Sequence, residues 1–118
     1  MKALRYFGER DIRHDSMEDP KLESDRDAIV QMTACSICGS DLHIYHGHGF
    51  SEDTGFCVGH EAVGEVVEVG RAVTRVKVGD KVMMPAAVGC GACRSCLSGV
   101  VNNCDGVFHI INKQRYPC

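Results

Sequence analysis

Residues 59–70 read GHEAVGEVVEVG, a histidine and a carboxylate followed by a valine-rich run that stops at Gly70. Valine is stiff at χ1 and packs well on a pleated surface, so a short run of this kind bounded by glycine predicts a strand. Working outward, RVKVGDKVMM at 75–84 is a second such run, and Gly79-Asp80 within it is a turn signal. On the other side, DAIVQMTA at 27–34 alternates, with Ala28, Val30, Met32 and Ala34 on one face and Gln31 and Thr33 on the other, which predicts a half-buried strand. The charged stretch GERDIRHDSMEDPKLESDRD at 8–27 reads as a solvated edge strand and a turn around Pro20. No stretch of a dozen residues keeps a helical period. One helical turn is expected in SDLHIYHG at 40–47, with Ser40 or Asp41 as N-cap. The expected fold is mainly β, a small and mostly antiparallel barrel or sandwich with long cysteine-bearing loops.

A chain of 118 residues has room for one core. Its net charge is −3, and Lys and Arg are scattered, which argues against nucleic acid or a membrane surface as partner. Eight cysteines suit a disulfide scaffold or metal binding, and the compartment decides between them. The opening MKALRYFGERDIRHD has no apolar core and no small-residue cleavage site, and no run approaches a membrane span. A reducing, cytoplasmic setting is therefore expected, with thiols free or metal-bound.

Four of those thiols lie in GCGACRSCLSGVVNNC, residues 89–104, where Cys90, Cys93, Cys96 and Cys104 follow C-x2-C-x2-C-x7-C. Tetrahedral zinc takes four such ligands, and two-residue gaps let a tight loop offer several sulfurs at once. Gly89, Gly91 and Gly99 are expected to supply the turn conformations. A ferredoxin-type cluster begins similarly but places its fourth cysteine after three residues, before a proline; here Asp105 follows Cys104. Disulfides, disfavoured in a reducing setting, and four merely buried thiols on one glycine-rich polar loop stay open beside zinc. With four protein ligands a zinc site is closed, and it would hold structure without doing chemistry.

A second constellation is Cys38, His60 and Glu61, a thiolate, an imidazole and a carboxylate. Mixed sets of three leave catalytic zinc a position for water or substrate. Ligand counting alone gives equal weight to one buried thiol and one surface histidine.

The motifs CGSDLHIYHG, GHEAVGEVVEVG, VKVGDKV and CGACRSCLSGVVNNC occur in an order and spacing that resemble the zinc-dependent medium-chain alcohol dehydrogenases. Together they look like that family's GroES-like catalytic domain, over residues 1–104 with a zinc lobe at 89–104. The tail, 105–118, does not resemble the family's glycine-rich strand. The resemblance implies a partly open barrel and an oxidoreductase that turns an alcohol into an aldehyde or ketone by zinc Lewis acid catalysis, with hydride passing to NAD(P). It implies Cys38, His60 and Glu61 at a catalytic zinc, with Asp41 orienting the histidine. Ser40 would take the alcohol proton and His43 would pass it towards solvent. Cys90, Cys93, Cys96 and Cys104 would hold a second, structural zinc.

The family's Rossmann domain is absent from this stretch: GHGFSE at 47–52 lacks the third glycine of a dinucleotide fingerprint. The family's remaining catalytic zinc ligand lies beyond the lobe, and Cys118 follows Cys104 too soon to replace it. The chain is thus expected to be a natural fragment, a frameshift or a rearranged gene product, inactive alone and with an open sheet edge. Its parent would act on a small alcohol or aldehyde, with homo-oligomer formation left open. A stand-alone zinc-stabilised binding module with a vestigial catalytic site is the competing function. Cys35 and Cys57 are expected to be buried small apolar residues. His46 and His48 belong to a solvated loop, and His14 and His109 have no motif around them.

Overall fold

The computed structural model describes residues 1–48, 53–86 and 88–105. The GHGFSE stretch and the tail with His109 and Cys118 fall largely outside them. The chain divides into two compact units after Met84.

In the first unit, β1 (Lys2–Gly8) and β2 (Asp11–Ser16) form an antiparallel hairpin. The charged stretch does contain an edge strand, β2, but its partner β1 was not signalled by any alternation in the sequence. Beyond β2 the chain turns on itself, where the Asp27 carboxylate accepts the N–H groups of Glu23 and Ser24 at 2.9 and 2.8 Å. The open side of β1 takes up the segment that leads to His60. Tyr6 N–H donates to Phe56 O at 3.0 Å, and Val58 N–H to Leu4 O at 2.9 Å.

The second sheet is antiparallel, in the order β3 (Ala28–Ser36), β4 (Glu61–Val69), β5 (Lys81–Met84). The valine-rich run is therefore its central strand, and Val66 is its most buried side chain at 1% exposure. The expected alternation of β3 breaks at Thr33. Met32 pairs with Gly64 and Ala34 with the adjacent Val63, so Thr33 is an extra residue that puts Met32 and Ala34 on opposite faces. A second irregularity lies in β4, where Ile29 pairs with Glu68 and Val30 with Val66, bulging Val67. The run at 75–84 is a strand only in its last four residues. Before them the Asp80 carboxylate accepts Lys77 N–H at 3.0 Å, and that local turn competes with extended backbone.

The two sheets do not close into a barrel, and β3 and β5 each keep one side open among the described residues. Among the described residues, Tyr6, Ile44 and Val66 form the buried apolar set of this unit, with the Tyr6 and Phe56 rings 5.3 Å apart. Gly64 is needed where β4 passes Val30 and Gln31 of β3, because a Cβ there would run into the Gln31 carbonyl and the Val30 side chain. Gly64→Ala is expected to destabilise the chain by about 3 kcal/mol through overpacking. Met83→Ala, at 78% exposure, should stay within about 0.5 kcal/mol. Urea denaturation followed by circular dichroism checks both.

Candidate metal centres

The register of β3 against β4 builds the first site. Ser36 pairs with Glu61, so the chain leaving β3 passes beside His60, and two residues later it starts a helix. That helix, α1 (Gly39–Tyr45), is capped by Cys38, not by Ser40 or Asp41 as the sequence suggested. The reason is Asp41 at the third helical position, whose Oδ2 accepts the Cys38 N–H at 2.9 Å. Cys38-x-x-Asp41 has the spacing of a capping box, with cysteine in the place usually held by serine or threonine.

Asp41 is 6% exposed, and its other oxygen, Oδ1, lies 3.1 Å from His60 Nδ1. That contact holds Nδ1 on Asp41 and turns Nε2 towards Ser40 and Cys38, where its deprotonated form can ligate a metal. The Cys38 sulfur, a His60 ring nitrogen and a Glu61 carboxylate oxygen lie within 4.8 Å of one another. The Ser40 hydroxyl sits between two of them, 3.2 Å from His60 Nε2 and 3.4 Å from Cys38 Sγ. The electrostatics agree with this grouping. Hydrogen bonds from the Ser40 hydroxyl and backbone N–H, then from His60, hold the Cys38 thiol below its ordinary pKa. The Cys38 sulfur, then the Asp41 carboxylate, holds the His60 imidazole above its own. His43 lies exposed on α1, and among the described residues its ring makes no hydrogen bond to Ser40.

The second unit brings Cys90, Cys93, Cys96 and Cys104 together, all four sulfurs within 4.8 Å of one another. A tetrahedron with Zn–S bonds of about 2.3 Å has sulfur–sulfur edges of about 3.8 Å. Cys93 and Cys104 sulfurs are 4.0 Å apart, so the cluster fits a single tetrahedral ion. An iron–sulfur cluster would spread its four thiolates over two or more irons, wider than the 4.8 Å within which all four sulfurs lie here. Backbone N–H groups face the sulfurs. Cys90 Sγ accepts from Ala92 and Cys93 at 3.4 and 3.3 Å, and these donors hold its thiol below its ordinary pKa. Cys93 caps the short helix α2 (Arg94–Leu97) by accepting Cys96 N–H at 3.5 Å, and with the Asp105 N–H this lowers the Cys93 thiol too. Cys96 differs. The Gly91 N–H pulls its pKa down, but burial and the sulfurs of Cys93, Cys104 and Cys90 push it up to about 12. Four thiolates so close repel one another, and a divalent cation relieves that repulsion.

Of the three lobe glycines, Gly91 and Gly99 adopt the left-handed turns expected, with φ of 72° and 84°. Gly89 does not. Cys35 and Cys57 are exposed, contrary to the burial expected. Cys35 lies on the edge strand β3, and the Cys57 sulfur rests on that of Met17 at 2.9 Å. His46 and His48 are exposed and join neither cluster.

The family model for the alcohol dehydrogenase GroES-like domain matches residues 24–113, extending past Cys104. The medium chain reductase/dehydrogenase ucsI of Acremonium sp is 49% identical over 81% of this chain and 33% of its own length. AdhB of Bacillus subtilis, an uncharacterized zinc-type alcohol dehydrogenase-like protein, is 40% identical over 89% of the chain and 28% of its own. The apo form of zinc dependent alcohol dehydrogenase 2 from Streptococcus pneumonia superposes with a TM-score of 0.84 at 35% identity, covering 89% of this chain and 30% of that one. The chain therefore spans about a third or less of the length of these relatives. Sequence, fold and the sulfur-rich sites agree, and the chain belongs to the alcohol dehydrogenase GroES-like domain family, with zinc-type medium-chain dehydrogenases as its homologues.

Proposed function

We propose that this chain is the zinc-holding, GroES-like portion of an NAD(P)-dependent alcohol dehydrogenase that oxidises a small alcohol to an aldehyde or ketone. The observation that carries the reading is the Asp41–His60 pair at 3.1 Å beside the Cys38 sulfur and the Glu61 carboxylate. A buried carboxylate that fixes the histidine tautomer is the support a metal-ligating imidazole needs.

Cys38, His60 and Glu61 hold a catalytic zinc in this reading, and Cys90, Cys93, Cys96 and Cys104 hold a structural one. When bound, the first zinc supplies Lewis acid polarisation of the alcohol oxygen. Asp41 keeps the His60 ring oriented, and its bond to the Cys38 N–H keeps the thiolate on the same side. In this reading the Ser40 hydroxyl, within 3.4 Å of both Cys38 Sγ and His60 Nε2, relays the alcohol proton, and His43, exposed on the same helix and, among the described residues, not hydrogen-bonded to Ser40, passes it towards solvent through an intervening group. Residues 1–104 act as the core of the GroES-like domain, in a cytoplasmic setting. In this reading NAD(P) binds in a Rossmann domain, which these 118 residues do not include.

Metal analysis of the purified chain is expected to find two zinc ions, and Cys38→Ser to reduce this to one. A single zinc that persists in Cys38→Ser would reduce the protein to a zinc-stabilised module with no catalytic metal site. Asp41→Ala should weaken zinc binding at the first site about 10–100-fold, the usual cost of losing a carboxylate behind a ligating histidine. Ser40→Ala should leave that affinity unchanged. Competition with a chromogenic chelator measures both, and equal affinities for Asp41→Ala and the parent would overturn the role given to Asp41.

A further inference from the structure

We infer that Gly89 is a positioning residue of the four-cysteine lobe: its missing side chain is the space that the Cys96 sulfur occupies. The inference rests on the reading of that lobe as a zinc site. Gly89 has no left-handed φ, so its backbone conformation is open to any residue. Steric room is what sets it apart. A Cβ at 89 would stand 2.6 Å from Cys96 Sγ and 3.3 Å from both the Cβ and the carbonyl oxygen of Val101. Gly91 and Gly99 show the opposite case, left-handed backbone with nothing within 4 Å of an added Cβ.

A flexible side chain would ordinarily swing away from such a contact. Cys96 Sγ cannot do so and stay a ligand, because zinc–sulfur distances tolerate only about 0.2 Å of change. Moving the main chain instead is no easier. Cys90 follows directly, and its N–H donates to Cys104 Sγ at 3.3 Å, so shifting residue 89 pulls on a second ligand and on its bond to a third. Val101 blocks the other side, in the turn (Val101–Asn103) that delivers Cys104. A methyl group at 89 therefore expels one sulfur from the tetrahedron, and Cys96 is the one in its way.

The test is cobalt(II) substitution in the full chain carrying Cys38→Ser, so that the lobe alone supplies the sulfur-to-cobalt charge-transfer bands. Gly89→Ala is expected to give the bands of a three-thiolate site, with cobalt affinity lowered about 10–100-fold. Gly99→Ala, strained but uncrowded, should keep the four-thiolate spectrum. In a Cys96→Ala background, adding Gly89→Ala should change neither spectrum nor affinity, because the atom it strikes is gone. An unaltered spectrum and affinity for Gly89→Ala would overturn the inference, as would a further loss on adding it to Cys96→Ala. Absence of charge-transfer bands in the Cys38→Ser parent would instead sink the zinc reading of the lobe, and the role of Gly89 with it.

Discussion

The Asp41 carboxylate ties the first site to the fold. Among the described residues it is the buried charged group of its unit, and it meets that condition by giving one oxygen to the Cys38 N–H and the other to the His60 ring. Unpaired, a charge so little exposed would cost several kcal/mol. Paired in this way, it joins the start of α1 to the chain entering β4, and the two elements that carry the sulfur and the imidazole are locked by one group. Pairing of β3 with β4 does the coarse placement, since Ser36 opposite Glu61 brings both segments to the same end of the sheet. Asp41 does the fine placement within that frame.

The lobe solves a different problem. It has almost no apolar core, and Cys104, at 1% exposure, is its buried side chain among the described residues. Its order comes from sulfur. Backbone N–H groups of Cys90, Ala92, Cys93 and Cys96 point at three of the four sulfurs, and the cysteines thereby cap α2 and close the loop. The same closeness pushes the Cys96 thiol up to about 12, so the geometry that suits a cation is unfavourable without one. In the lobe the candidate ligands are themselves the structure, whereas in the first unit the sheet stands apart from the groups it presents.

The two sites also differ in what surrounds them. Four thiols with amide donors would leave a tetrahedral cation in the lobe no open position. Cys38, His60 and Glu61 are three groups with a hydroxyl beside them, and that fourth side is where chemistry has room. The two clusters thus differ in the number of candidate ligands, four against three, and in the Ser40 hydroxyl that lies against both Cys38 Sγ and His60 Nε2.

Both clusters of candidate ligands were legible in the sequence, because close spacing in the lobe and the linked motifs around Cys38 and His60 identify residue types without reference to shape. The valine-rich central strand was legible for a similar reason, since period and composition are local properties. Distances through space were not. Nothing local marks Thr33 as a bulge, which is set by how β3 meets β4 and reverses the side on which Ala34 lies. The cap of α1 moved from Ser40 or Asp41 to Cys38 because Asp41 had a second obligation to His60, nineteen positions away. Gly89 looked like one more turn glycine beside Gly91 and Gly99, and only the folded lobe put the Cys96 sulfur where its side chain would be. The sequence by itself determined which groups are available to a metal. Tertiary structure alone decided which must be held, and which must be absent, for those groups to meet, because close approach is a property of chain segments brought together by folding.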